Sequence, residues 1–520
     1  MSQQQWGAHP PNTAYGQQPA YTPGNSAPYA QQYNPAPNAE QGYGTSEKTP
    51  NAGGRFKPES RVRDPVFLIL FWLQFIGFCV VSGLALSYWV RESGLNGGLG
   101  SGSTGNSATL NSSTAYLLLL VAAAGLVLST LYFILTRAFT HAIMHITLLL
   151  TIALNIGICA YYWVTKYWSG AIIFTIIAII SILSYWGFRS RIPLASLLLQ
   201  VVMDVSKAHK SVYIVALTTL LLQAGLSVWY TFSIIATYIR WTPGSPSCSD
   251  GAACSSGKVA GLIFYLTFSY IWTSMTINNV SLATLAGGPY GSWYYFGPRD
   301  AGLMPKHPTT QSFFRASTMS LGSIAFGSLI VTILEIIRLI LNSLRNESID
   351  NGDPITAILT CCAQCLVGII EGMVQYFNRY AYIEIALYGK PYVRAAKDTW
   401  RMFKDRGIDA LVNDSLVSMT LTWGSYLVGV LCSLFAYLYL RYTDPSYNAD
   451  GQYTAPVLLF AFLIGAQLHL TLASAIEAGV STIFVGLGED PYVLAARAPA
   501  LFDMIVQRYP QVVQGVPRVG

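Results

Sequence analysis

VFLILFWLQFIGFCVVSGLALSYWV, residues 66–90, runs for 25 positions without a Lys, Arg, Asp or Glu. Roughly 20 apolar residues in a helix cross the hydrocarbon core of a bilayer, so this stretch alone argues for a membrane protein. Nine more of the same kind follow, at about residues 115–136, 142–165, 167–188, 211–239, 259–286, 316–342, 355–388, 415–440 and 456–486. Several exceed 25 residues, which calls for tilt, a kink or extension past the membrane surface. The expected fold is all-α: a polytopic bundle of about ten transmembrane helices.

The basic residues between these stretches alternate in abundance. The segment before the first span carries Arg55, Lys57, Arg61 and Arg63, and the loop after the eighth carries Lys390, Arg394, Lys397, Arg401, Lys404 and Arg406. Together with those of the second, fourth and sixth loops and the C-terminal tail these come to 21 Lys and Arg, Lys48 of the far N-terminal tail aside. The odd-numbered loops hold six: Arg91, Lys166, Arg240, Lys258, Arg345 and Arg441. Short cytoplasmic loops carry the Lys/Arg excess, so both termini are expected in the cytoplasm. The first 55 residues lack the apolar core of a signal peptide, which leaves the first span as the insertion signal.

Composition agrees. The 520 residues are 52% hydrophobic and 10% charged, where soluble domains carry about 25% charged residues. The net charge of +6 comes from loops on one side, so it reads as topology, and no nucleic-acid partner is expected. Two N-glycosylation acceptors, at Asn111 and Asn346, fall in loops expected outside. Cys248 and Cys254 share another such loop. In an oxidising compartment they either close a small disulfide or remain two free thiols; the disulfide is the expectation. Cys361, Cys362 and Cys365 lack the His or second Cys pair that a metal site requires, so they read as small packing residues.

Residues 1–55, rich in Gln, Pro, Tyr, Asn, Gly and Ala, cannot bury enough apolar surface to fold. They are expected to form a disordered cytoplasmic tail, a solvated spacer or a site for cytoplasmic partners. Residues 56–510 form the ten-span domain and 511–520 a short cytoplasmic tail. The basic collar at 56–65 is suited to anionic membrane lipid. Two loops read as helices, at the interface or under the bundle. In 191–210, Leu194, Leu198, Val201 and Val205 share a face; in 391–413, basic residues interleave with Val393, Trp400 and Phe403. One echo is internal: PYVRAAK at 391–397 recurs as PYVLAAR at 491–497. Pro is favoured in a first helical turn, so each copy is expected to open a short helix.

Ionisable groups deep in a span are costly and mark pathways or pairs. Glu371 is the deepest acid, and Gln364, Gly368, Gln375 and Asn378 share its helical face. That polar stripe either lines a water-accessible path, the reading adopted, or forms an interhelical hydrogen-bond network. Glu335 and Arg338, one turn apart, are expected to neutralise each other. Glu384 and Glu477 lie near the cytoplasmic ends, where a carboxylate costs little. Tyr265, Phe268, Trp272 and Met275 share one face of the sixth span. Aromatic faces attract quaternary ammonium groups, although most aromatic residues of such a chain must serve packing. His141 and His145, four apart without a nearby carboxylate, read as interfacial rather than as a metal pair.

No phosphate-binding GK[ST] loop, HExxH or GxSxG triad is present. The sequence therefore calls for no cofactor, no resident metal and no enzymatic activity. The segments LGSIAFGSLI (321–330), NRYAYIEIALYG (378–389) and VNDS (412–415) resemble the choline transporter-like family, solute carrier family 44. The Gln/Tyr/Pro-rich tail and GEDP (488–491) are similar to its fungal, pH-nine-sensitive branch. The resemblance spans about residues 56–510. It implies ten spans, cytoplasmic termini, a plasma-membrane location and solute transport, with choline or ethanolamine as substrates of some animal members. Animal relatives carry a large Cys-rich loop after the first span; here residues 91–114 are short and contain no Cys. The expectation is an ATP-independent transporter of a small solute such as an organic cation, contacting Tyr265, Phe268 and Trp272 of the sixth span, with Glu371, Gln364, Gln375 and Asn378 at the same site and Glu371 offsetting its charge. A channel or lipid scramblase, and a non-transporting scaffold, are the alternatives.

Overall fold

The computed structural model describes residues 56, 61–93, 112–166, 168–243, 254–298, 302–406, 409–445, 448 and 454–510. The tails 1–55 and 511–520, with Asn111 and Cys248, lie outside the described residues. Among the described residues there is no strand, and ten helices are long and apolar enough to cross a bilayer. The spans are α1 (Pro65–Ser93), α2 (Ser112–Ala138), α3 (Thr140–Val164) and α4 (Trp168–Arg189). After a short α5 (Ile192–Ala208) come α6 (Ser211–Trp241) and α7 (Ser256–Leu285). A π-helical turn, Ala286–Tyr290, joins α7 to α8 (Gly291–Phe296). Then follow α9 (Pro308–Phe314), α10 (Leu321–Asp350), α11 (Pro354–Tyr388) and α12 (Tyr392–Arg406). The chain continues through α13 (Asp409–Thr443), α14 (Thr454–Glu489), α15 (Pro491–Arg497) and α16 (Pro499–Arg508).

Two boundaries differ from the sequence reading. The seventh span begins at Leu321 and not near 316, because Arg315–Met319 forms a π-helical turn that breaks the helical register. The loop helix expected over 391–413 ends at Arg406, and α13 has already begun at Asp409. Both copies of the echo do open helices, α12 and α15.

α14 is central. It packs on α2 and α13 on one side and on α6, α7 and α11 on others, while α1 lies against α6, α7 and α10. α3 and α4 form a hairpin that meets the rest through α2, α5 and α13. The main apolar core lies at one end of the bundle, where the C-terminal halves of α11 and α14 meet α5, the π turn and α8. α5 belongs to it: Leu194, Leu198 and Val205 are buried, which settles that helix under the bundle. Buried tyrosines fasten this end. Tyr290 donates to the Ala475 carbonyl at 2.8 Å and Tyr294 to that of Asp490 at 2.9 Å. Gly287 permits a close approach there, since a Cβ on it would lie 2.8 Å from the Ala386 carbonyl oxygen. Gly389, at φ 66°, closes α11 in the left-handed conformation that glycine adopts without a Cβ penalty.

Candidate functional site

The polar stripe of α11 faces α10. Arg345 donates to Gln364 Oε1 at 3.3 Å. Two turns further in, Arg338 Nη1 lies 3.1 Å from Glu371 Oε2, an ion pair outside hydrogen-bond geometry. Gln375 donates to the other oxygen, Glu371 Oε1, at 3.0 Å. The expected Glu335–Arg338 neutralisation is corrected: Arg338 pairs across the hairpin. Glu371 is 5% exposed, so an unpaired charge costs more there than at half-buried Glu335. Glu335 Oε2 is left buried without a hydrogen-bond partner. The seam thus holds two carboxylates and one guanidinium at mid-helix, Glu371 lying about 25 Å from the start of α11 by the helical rise.

Glu371 is also the first buried residue of α11. Every residue from 354 to 370 is half-buried or exposed, whereas most positions from 378 to 387 are buried. The carboxylate therefore sits where the hairpin joins the bundle. Cys361, Cys362 and Cys365 are exposed on that outer half, so they are not the packing residues expected.

Beyond Glu371, polar ties close the bundle. Asn378 donates to the Gly327 carbonyl at 3.1 Å and accepts from the Tyr392 hydroxyl at 2.6 Å, joining α10, α11 and α12. Arg379 on α11 pairs with Glu477 on α14 at 3.3 Å. Lys390 then meets three carboxylates: Glu384 at 2.8 Å, Asp398 at 2.9 Å and Glu489 at 3.8 Å. The low cost expected near the surface is corrected for Glu384, which is fully buried against Lys390, while Glu477 is half-buried and paired with Arg379. Burial alone would lower the Lys390 pKa, but Glu384, Glu489 and Asp398 together more than offset that, so the ammonium is held above its ordinary value. Burial likewise pushes the Tyr392 phenol up to about 12.

Asp64 locks this end from a distance in sequence. Its Oδ2 accepts from Ser323 Oγ at 2.6 Å and from the Tyr392 backbone N–H at 2.9 Å. It therefore serves the free donors at the start of α12. Its φ of 48° is left-handed, a region Asp tolerates better than most residues. Arg63 beside it donates to the Gly389 carbonyl at 3.0 Å.

The aromatic face of α7 is placed apart from this seam. Tyr265 donates to the Gln74 carbonyl at 2.6 Å, Trp272 donates to the Ala325 carbonyl at 2.9 Å, and Phe268 packs on Trp272. These residues knit α7 to α1 and α10, so the aromatic face considered for cation contact is engaged in packing. Asn346 is exposed but stands on the last turns of α10 rather than in a loop. Cys254 is disulfide-bonded.

A family model described as plasma-membrane choline transporter matches residues 172–492. The chain belongs to the choline transporter-like family. Its relatives bear this out along nearly the whole length. Protein PNS1 of Cryptococcus neoformans var. neoformans serotype D is 58% identical over 510 residues, 96% of this chain and 92% of the relative. Protein PNS1 of Mycosarcoma maydis is 42% identical over 484 residues, 92% of this chain and 90% of the relative. Protein PNS1 of Candida albicans is 38% identical over 484 residues, covering 92% and 93%. As a choline transporter-like protein the chain is a multi-pass membrane transporter of a small solute.

What sequence reasoning missed in this transporter is the set of ties at the closed end. Glu384, Lys390 and Asp398 are close in sequence, and the Gly389–Pro391 turn that brings them together was the available signal. Asp64 gave none, because its partners lie 259 and 328 residues away.

Proposed function

We propose that the chain is a plasma-membrane secondary transporter of a small organic cation, choline being the first to test. The observation that carries this reading is the carboxylate excess of the α10–α11 seam: Glu335 and Glu371 face one Arg338 at the point where α11 enters the bundle. A quaternary ammonium arriving there meets uncompensated negative charge in a low-dielectric setting, where such attraction is strongest. Gln375 holds one Glu371 oxygen in place, and Arg338 limits the excess to a single negative charge when both acids are ionised. A monovalent cation is the solute that such a site neutralises.

The ties at Asn378, Arg379–Glu477 and Lys390 form the closed gate on the Lys/Arg-rich side, which we assign to the cytoplasm. Opening that gate requires α11 to part from α14 and α12, so the solute reaches Glu371 from the other side first. Cys254 we assign to a disulfide with Cys248 in an external loop.

The test is labelled-choline uptake into vesicles reconstituted with the purified chain. Saturable uptake, inhibited by excess choline and not by its neutral isostere 3,3-dimethylbutanol, is expected. Equal inhibition by the isostere would refute recognition through charge. Unsaturable flux with conductance would assign a channel, and lipid flipping without solute uptake a scramblase.

A further inference from the structure

α12 carries a surface that solute transport does not explain. Val393 and Trp400, two turns apart, are 50% and 64% exposed on its outward face. Lys397 lies between them and Lys404 one turn beyond, and all four share one side of the helix at a spacing of 4, 3 and 4. The inward side is fixed. The Tyr392 N–H is held by Asp64, its hydroxyl by Asn378, and Asp398 by Lys390. The outward face is therefore preformed.

Between this face and α11 runs an open groove of about 420 Å³, with Phe377, Val393, Ala396, Lys397, Trp400 and Arg401 among its walls. Phe377 belongs to a membrane-spanning helix, so the groove leads from the apolar zone to the surface. The charge in it is of one sign. Arg401 reaches Asp398 only at 3.9 Å, and that carboxylate is already held by Lys390 at 2.9 Å. Among the described residues Lys397 has no ion pair.

We infer that this groove binds an anionic phospholipid of the leaflet on the Lys/Arg-rich side. The phosphate lies between Lys397 and Arg401, the glycerol and upper acyl chain against Trp400, Val393 and Phe377. Three features select this occupant. Basic side chains near a membrane surface attract anionic headgroups. An aromatic residue at the same level matches the water–lipid boundary. The apolar wall continues into the span, where an acyl chain already is. A second copy of the chain would bring the same positive charge to the same groove. This inference stands independently of which solute is carried.

The experiment is native mass spectrometry of the full-length protein, delipidated in detergent and titrated with phosphatidylserine or phosphatidylcholine. Wild type is expected to retain phosphatidylserine in preference. Lys397→Glu/Arg401→Glu should lose that preference by about tenfold or more, since each basic contact contributes a several-fold factor. Trp400→Ala should weaken retention of both lipids. Lys207→Glu/Lys210→Glu, the same charge change at exposed positions at the end of α5, should leave the preference intact. All of these side chains are exposed, and an unchanged thermal midpoint confirms folding. Equal retention of both lipids by wild type overturns the inference. So does an unchanged preference in the Lys397/Arg401 variant, or an equal loss in the α5 variant, which would reveal only diffuse charge. A dimer that survives delipidation and dissociates on Trp400→Ala would give the face to a second copy and overturn it as well.

Discussion

Lys390→Ala removes the only cation within ion-pairing distance of Glu384 among the described residues. Lys390 Nζ lies 2.8 Å from that carboxylate, which is fully buried, and 2.9 Å from Asp398. Removing one partner of a buried ion pair costs about 3–5 kcal/mol, because the remaining charge cannot be solvated. Lys390 and Asp398 keep 17% and 20% of their side-chain exposure, so water relieves part of this and the lower end, about 3 kcal/mol, applies. Glu384→Gln leaves Lys390 with Asp398 and Glu489 and should cost only about 1 kcal/mol. The double variant should then be more stable than Lys390→Ala alone, because the orphaned charge is gone. The assay is the thermal unfolding midpoint of the purified protein in detergent for all four forms. Alkali gives a second axis. The Lys390 pKa is raised on folding, so its stabilisation is complete below the ordinary 10.5 and is lost as pH climbs through the higher folded value. The midpoint of wild type should therefore fall further above pH 10.5 than that of Lys390→Ala. Losses that simply add in the double variant, with parallel alkaline limbs, would refute the reasoning.

Asp64→Ala strips the start of α12 of its acceptor and frees Ser323, and should lower stability by about 1–2 kcal/mol; Asp64→Asn should recover part of that in the same melting assay. Gly287→Ala places a Cβ 2.8 Å from the Ala386 carbonyl oxygen, so the π turn must shift, and a loss of about 1–3 kcal/mol is expected. A neutral result would show that α7 and α11 separate there freely. Arg379→Ala opens the tie to Glu477 and should change the turnover of uptake more than its KM. An effect confined to KM would move that pair from gate to binding site.

The spans were legible because a bilayer imposes length and apolarity residue by residue, and the structure reproduces all ten. Their ends were less so. Nothing in RASTM announces a π-helical turn, which depends on packing against neighbours. Glu371 was singled out correctly as a deep acid, but its partner was not. Helical periodicity sees Glu335 three residues before Arg338, whereas the guanidinium responds to the more deeply buried carboxylate across the hairpin. The α7 aromatic face shows the same limit. Periodicity puts Tyr265, Phe268 and Trp272 on one side of α7, yet only the neighbours Gln74 and Ala325 determine that the side is used for packing. The closed end was least legible, since Asp64, Asn378 and Tyr392 come together from three separate segments.

The central claim is that carboxylate charge at the α10–α11 seam recognises the cation. It is tested most directly by the KM for labelled choline of Glu371→Gln beside wild type, in vesicles with matched protein content. Loss of a charge–charge contact of about 1.4 kcal/mol or more predicts a KM raised about tenfold or more, with Glu335→Gln shifting it in the same direction. A Glu371→Gln protein that is folded, inserted and takes up choline with unchanged KM would contradict the account.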